Sequence, residues 1–216
     1  MKFVVTAGPT REPIDPVRFI SNRSSGKMGY AIAEAAIEAG HKVTLISGPT
    51  ALTPPENARV IKITTADELY DAVHEHASNC DALVMCAAVS DYKPIETFVL
   101  KMPKQRGEFS LPLTSTRDIL ASLPRERSYL VIGFAAETHD LEKNAQKKLR
   151  DKNCDAIIAN DVSATDVGME SDENAVEIFF QNGNRKKISR AKKLFIAREL
   201  IKIIFEMREK RLTKKT

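Results

Sequence analysis

The sequence predicts an α/β fold, a Rossmann-like, doubly wound and mostly parallel sheet, and three observations predict it. Short apolar runs rich in β-branched residues alternate with amphipathic stretches of helical period along most of the 216 residues. The first such run passes through a polar loop into an Ala-rich helix, where folds of this class seat phosphate. Near the C-terminus, Gln181-Asn182-Gly183-Asn184 sits between two β-like runs and signals a hairpin appendage.

Lys2 to Thr6 reads as a buried strand from its Val-rich run. From Gly26 to Ala39 a helix puts Met28, Ala31, Ile32, Ala35 and Ala36 on one face, and Gly40 stops it. Small residues on that face allow close approach to a sheet. Lys42 to Ser47 and Val60 to Ile63 are further strands, and Ala66 to Ser78 a second helix. Ala82 to Ala87 is a continuous apolar run, as expected of a strand buried on both faces. Residues 88 to 118 carry Pro94, Pro103 and Pro112 and read as a long excursion with β-character near Phe109 to Leu113. Alternation returns with a helix Asp118 to Leu123, a strand Tyr129 to Phe134, a helix Leu141 to Asp151 and a strand Ala156 to Asn160. Val176 to Phe180 and Lys186 to Ile188 flank the hairpin turn, where Asn-Gly supplies positive φ. A last helix buries Leu194, Ala197, Leu200, Ile201, Ile204 and Met207. Residues 1–207 form one domain on this reading, and 208–216 a basic, frayed tail.

The formal charge of +4 belongs to that tail, where Arg208, Lys210, Arg211, Lys214 and Lys215 face a lone Glu209. The body is neutral, so a nucleic-acid groove is not indicated. No apolar run approaches the roughly 18 residues that span a bilayer, and Pro9, Arg11, Glu12 and Asp15 end the opening apolar stretch too soon for a signal peptide. Cys80, Cys86 and Cys154 lie in or beside apolar stretches and read as buried thiols of a reducing cytosol. His74 and His76, two apart on a helix, point away from each other and make a poor metal site. A cytoplasmic location is expected.

Ligands of doubly wound sheets bind at the carboxyl ends of the strands. Those ends hold Cys86-Ala87-Ala88-Val89-Ser90-Asp91, Gly133-Phe134-Ala135-Ala136-Glu137-Thr138 and Asn160-Asp161-Val162-Ser163. Each joins small residues, which admit a base or sugar, to polar groups that orient it. Ser24, Ser25, Gly26 and Lys27 open the first helix with free amides, the positive dipole end and an ammonium, a setting for phosphate; read alone, a Ser24 cap and a solvated Lys27 fit as well. Lys101 and Lys104 can close over a polyphosphate, or form a solvated pair. Lys148 and Lys152, four apart, share one helix face. Asp91 and Asp161 are carboxylates suited to hydrogen bonding or a metal. No Ser-His-Asp arrangement exists, so chemistry here would rest on charge stabilisation and positioning. Nucleotidyl transfer to a carboxylate has that profile.

Thr6 to Gly29, reading Thr-Ala-Gly-Pro-Thr-Arg-Glu-Pro-Ile-Asp-Pro-Val-Arg-Phe-Ile-Ser-Asn-Arg-Ser-Ser-Gly-Lys-Met-Gly, resembles the signature of the phosphopantothenoylcysteine synthetase family of coenzyme A biosynthesis. Ala87 to Tyr92, Gly133 to Thr138, Ala159 to Val162 and Gly168 to Asn174 match further family blocks in order. The resemblance implies a ligase that joins 4′-phosphopantothenate to L-cysteine. An acyl-nucleotidylate forms first from CTP, as in typical bacterial enzymes, or ATP, with Mg²⁺ and loss of pyrophosphate. It implies that Asn22 holds the acyl carbonyl, that Arg18 helps with the intermediate, and that Lys101 takes part in catalysis and nucleotide binding. Met85, Cys86, Ala87, Asp91, Asp118 and Phe134 would line the nucleotide, with Lys148 and Lys152 near its base or phosphates. It also implies a homodimer, with part of the excursion or hairpin reaching toward the partner's site.

Two departures stand out. Lys101-Met102-Pro103-Lys104 replaces the Lys-Ile-Lys-Lys of many bacterial relatives, and Thr116-Arg117-Asp118-Ile119 replaces Asn-Pro-Asp-Ile. The chain reads as a stand-alone synthetase without the flavin-binding decarboxylase. Two other readings share the scaffold. An NAD(P)-dependent reductase would need Gly-x-Gly-x-x-Gly and Tyr-x-x-x-Lys, which are missing; a non-catalytic nucleotide-binding regulatory module would not need Asn22 and Lys101 together.

Overall fold

The computed structural model describes residues 1–104, 106–137, 140–161 and 171–213, with the side chains of Glu137 and Asp161 outside that description. In chain order the elements are β1 (Lys2–Ala7), β2 (Arg11–Pro13), β3 (Phe19–Ser21), α1 (Lys27–Glu38), β4 (Lys42–Ser47), β5 (Arg59–Lys62), α2 (Ala66–Ala77) and β6 (Ala82–Met85). Next come β7 (Tyr92–Pro94), β8 (Leu113–Ser115), α3 (Ile119–Ser122), β9 (Leu130–Glu137), α4 (Leu141–Asp151), β10 (Ala156–Asp161), β11 (Glu173–Phe180), β12 (Arg185–Lys192) and α5 (Lys193–Thr213).

Eight strands form one sheet in the order β12-β11-β10-β9-β6-β1-β4-β5. Neighbours from β10 to β5 run parallel, whereas β11 and β12 add an antiparallel edge. The chain begins at β1, winds outward through β4 and β5, then returns across β1 to β6. This reversal creates a switch point between β1 and β6, the crevice where such sheets bind ligands.

The strands alternate their side chains between two cores because successive residues point to opposite faces. Phe3, Val5 and Ala7 pack toward α1 and α5 beside Ile32, Ile196 and Leu200. Val4, Leu83 and Val131 face α2 and α4 beside Leu69, Val73 and Leu149. Helix α1 lies close on the sheet because Gly29 has no side chain: a Cβ there would stand 2.5 Å from the Ala7 Cβ. Helix α2 starts on a full capping box, Thr65 with Glu68, and the buried Glu12 carboxylate accepts the Ala66 amide at 2.9 Å. That bond ties the first loop to α2.

The structure differs from the sequence reading in several places. The first loop contains the small hairpin β2–β3, too short for any periodic signal. Strand β6 ends at Met85 because the Cys86 and Ala87 amides turn to the Thr6 hydroxyl, at 3.1 and 3.0 Å. In the excursion, β-structure lies at Leu113–Ser115 paired with Tyr92–Pro94 rather than over Phe109 to Leu113. The β11–β12 turn takes positive φ at Gly183 alone (82°), so it is a looser turn than a two-residue Asn-Gly one. The tail also departs from fraying over 208–213, which continue α5. Arg208 pairs with Asp81 at 3.0 Å and Arg211 with Asp155 at 3.1 Å. Residues 214–216 lie outside the described residues.

Candidate active site

A cavity of about 830 Å³ opens at the carboxyl rim of the sheet, within the roughly 300–1,000 Å³ typical of small-molecule sites. Its wall collects the end of β6 with the loop after it (Met85, Cys86, Ala87, Asp91), the start of α1 (Ser24, Gly26, Lys27, Gly29), and Phe134 of β9. Asn22, Asp118, Lys148 and Lys152 complete the set expected from the sequence. Residues more than a hundred positions apart meet here because parallel strands deliver all their carboxyl ends to one edge.

Each wall has a local cause. The Thr6 hydroxyl, between β1 and β6, holds the Cys86–Ala87 backbone as described, and the Ala88 amide donates to the Gly8 carbonyl at 2.9 Å. The Asn22 amide donates to the Ala88 carbonyl at 3.2 Å, which joins the first loop to the strand end. Gly26 precedes α1 with φ 79° and no side-chain cap; a Cβ there would stand 3.3 Å from the Gly8 backbone. Only glycine tolerates both demands. The Gly26 and Lys27 amides reach the Ser24 and Ser25 hydroxyls at 3.4 Å. Ser25 itself does not line the cavity; its carbonyl accepts the Thr50 hydroxyl at 3.0 Å.

On the opposite wall, Asp118 caps α3 by accepting the Ala121 amide at 3.0 Å, and its other oxygen takes the Lys152 ammonium. Arg117 stacks 3.8 Å over the Tyr70 ring and binds Asp67 and Asp71 at 2.8 and 3.0 Å. Lys93 also binds Asp67, and its bond, followed by that of Arg117, lowers the Asp67 pKa. The residue that departs from the family pattern thus fastens the Thr116–Asp118 wall to α2. Burial raises the Cys86 thiol to about 12, as it does Cys80 and Cys154. Cys86 is therefore a neutral wall group rather than a nucleophile.

Arg18 and Lys101 lie elsewhere. Arg18 binds the buried Asp15 carboxylate through Nε at 2.9 Å and donates to the Met102 carbonyl at 3.0 Å. The Met102 amide in turn donates to Asp15 at 3.1 Å. The Arg18 guanidinium, helped by the Val17, Arg18 and Met102 amides, holds the Asp15 carboxyl well below the usual carboxylate range. Lys101 is exposed on this strap, as is Lys104, and neither lines the cavity. The structure therefore gathers most of the expected site but leaves its two excursion-linked cations outside.

Among the lining residues that the sequence reading did not place at the site are Lys193, Asn174 and Arg117. Lys193 is buried at the start of α5, yet in sequence it is one of a Lys-Lys pair. Burial, then the neighbouring Lys27 charge, lowers its pKa. Among the described residues no cluster of three or more His, Cys, Asp or Glu could hold a metal. The cavity carboxylates are Asp91 and Asp118, oxygen donors of the kind that a hard cation carried in on phosphates takes. The Asp161 side chain, Thr138, Val162, Ser163 and Gly168 to Glu170 lie outside the described residues.

A family model described as the DNA/pantothenate metabolism flavoprotein C-terminal domain matches residues 1–207. The coenzyme A biosynthesis bifunctional protein CoaBC of Bacillus subtilis is 45% identical over 203 residues, which is 93% of this chain and 50% of that protein. Its namesake in Haemophilus influenzae is 44% identical over 210 residues, 96% of this chain and 52% of the relative. The chain thus spans about half the length of these curated relatives. A crystal structure of the C-terminal domain of CoaBC superposes with a TM-score of 0.82 at 41% identity, covering 97% of this chain and 98% of that one. A Cab2 mutant in complex with phosphopantothenate-cysteine superposes with a TM-score of 0.81 at 17% identity, over 100% of this chain and 89% of its own, a likeness of fold.

Proposed function

Because the chain belongs to the DNA/pantothenate metabolism flavoprotein C-terminal domain family, we propose that it is a phosphopantothenate–cysteine ligase of coenzyme A biosynthesis. The observation that carries this reading is the convergence of Asn22, the Ser24–Gly29 turn, Asp91, Phe134, Lys148 and Lys152 on one cavity. A carboxylate is a poor electrophile until one oxygen becomes a good leaving group. In the first step the 4′-phosphopantothenate carboxylate attacks the α-phosphorus of CTP or ATP, and the bond to the departing pyrophosphate breaks. In the second, the amine of L-cysteine attacks the acyl carbon, the amide forms, nucleoside monophosphate leaves, and the amine proton passes to solvent.

The chain's groups divide this work. Phe134 and the Met85–Ala87 backbone receive the base, while Lys148 and Lys152 neutralise phosphate charge. Asn22, already a donor to a carbonyl, would turn its amide to the acyl carbonyl. Arg18 would assist the intermediate. Ser24, Gly26 and Lys27, with Ser25 shaping the turn, would face phosphate at the start of α1. Mg²⁺ bound with the nucleotide would shield its phosphate charge, with Asp91 and Asp118 the cavity carboxylates fitted to hold it.

A homodimer completes the proposal. Val17, Val99 and Leu100 are 60%, 88% and 79% exposed, on the first hairpin and the excursion, and clustered exposed apolar side chains mark interaction surfaces. Dimerisation through this face would bring Lys101, which lies outside the chain's own cavity, toward the partner's. The free thiols of Cys80, Cys86 and Cys154 fit a cytoplasmic setting, and no described helix is long and apolar enough to cross a membrane.

Pyrophosphate release with 4′-phosphopantothenate and L-cysteine, comparing CTP with ATP, tests the function. Release with one nucleotide sets the base preference, with CTP expected. No release with either would sink the ligase reading and leave the nucleotide-binding module.

A further inference from the structure

The excursion leaves and rejoins the sheet rim through two short legs, and both legs are part of the cavity wall. Asp91 and Tyr92 belong to the outgoing leg, and Ser115, Thr116, Arg117 and Asp118 to the returning one. Strands β7 and β8 join the legs through the Tyr92–Ser115 and Pro94–Leu113 pairs. The Thr116 amide donates to the Asp91 carbonyl at 3.0 Å, and its hydroxyl to the Ser90 carbonyl at 2.7 Å. An isolated two-stranded ribbon is marginally stable at best, and Tyr92, Ile95 and Leu113 are exposed on this one. Its position must therefore come from what it is fastened to. On the outgoing side the Ser90 amide donates to the Thr10 hydroxyl at 3.0 Å, a tie to the first loop.

Asp67, in the first turn of α2, reaches both legs. One oxygen of its carboxylate takes the Lys93 ammonium of β7, and the other accepts the Arg117 Nε at 2.8 Å. The Arg117 guanidinium also donates to the Asp67 carbonyl at 3.1 Å and to Asp71 at 3.0 Å. A single exposed ion pair contributes little, but several charges in one network hold better. Here the network is backed by the Arg117 stack over Tyr70. Helix α2 is a firm anchor, because Leu69 and Val73 are wholly buried against the sheet. Neither Asp67 nor Lys93 lines the cavity, so any effect of either on a ligand there is transmitted through the wall.

We propose that Asp67 is a positioning residue for the nucleotide: by fastening both legs to α2, its carboxylate sets Asp91 and Asp118 as one wall of the cavity. That Asp91 and Asp118 meet a nucleotide rests on the ligase reading. The clamp itself does not.

Equilibrium titration of the full chain with CTP and Mg²⁺ reads the wall without any reaction. Asp67→Asn and Lys93→Met are each expected to weaken binding about fivefold, the scale of energies coupled through contacting residues. The double variant should match Asp67→Asn alone, because Lys93 acts only through that carboxylate. Unchanged affinity in either single variant overturns the proposal, as do losses that multiply to roughly twenty-five-fold in the double variant. In turnover the nucleotide KM should rise by the same factor while the KM for L-cysteine is kept. A general loosening of the fold would move both, so equal rises also overturn the positioning role.

Amide hydrogen exchange without nucleotide reads the clamp directly. The Thr116 amide should exchange about fivefold faster in both single variants, while the amides of α1 keep their rates. Unchanged Thr116 exchange overturns the proposal. Asp67 and Lys93 have partly exposed side chains, 38% and 32%, so both variants are expected to fold. If the unsubstituted chain binds neither CTP nor ATP, the ligase reading fails by itself, and Thr116 exchange still decides the clamp.

Discussion

The sheet rim and the excursion hold their polar groups in opposite ways. At the rim, Asn22, Lys148 and Lys152 are set by strands and helices whose positions two buried cores fix. On the excursion, Lys101 rides a strap joined to the first hairpin by a few bonds centred on Asp15, among exposed apolar side chains. Rigid packing places a side chain once the fold is known. A strap with little core of its own takes its position from whatever else covers it, a partner subunit or a bound nucleotide.

Substitutions can break this contrast, beginning with the largest effect. Asn22→Ala should preserve nucleotide binding yet lower kcat about 10²-fold, the scale of removing one transition-state donor. Wild-type turnover would take Asn22 out of the mechanism. Gly29→Val should cost about 1–3 kcal/mol of stability, because a Cβ at that position already meets Ala7 at 2.5 Å. An unchanged urea midpoint would show that α1 can move off the sheet. At the excursion the effect should be kinetic. Lys101→Gln should raise the nucleotide KM about tenfold, as for one lost charge-assisted bond, with no change in melting temperature; unchanged kinetics at limiting CTP would remove the assignment.

The smallest effect concerns the Asp15 latch. Its folded pKa lies below the ordinary value of about 3.9, so its contribution is present above that value and lost as pH falls through the folded pKa. Asp15→Asn should flatten the acid limb of stability below about pH 4, where the Asp15 carboxyl of the unfolded chain takes up a proton while that of the folded chain stays ionised. An identical acid limb in the two proteins would show that the latch does not couple to folding.

How much the sequence made legible divides along the same line. The core strands, α1, α2, α4 and the hairpin edge were readable because apolar periodicity reports burial directly. The strand-end groups were readable too, since doubly wound topology sends them to one rim. Hairpin β2–β3 was not, because three-residue strands carry no period. Arg208 and Arg211 looked like tail charge, yet each finds a carboxylate on the sheet's amino side. Lys193 drew no reading for the same reason: charge in sequence says nothing of which face it meets.

The sequence by itself determined the α/β class, the winding and the divided first loop, with Arg18 and Asn22 on one part and Ser24 to Gly29 on the other. Local pattern suffices there, because period and turn chemistry act between near neighbours. Tertiary structure alone decided that Asn22 faces the Ala88 carbonyl and that Lys152 meets Asp118. It also decided that Arg18 meets the Met102 carbonyl and that Lys193 enters the cavity. Each of these depends on which distant group ends nearby, and long-range packing alone sets that distance.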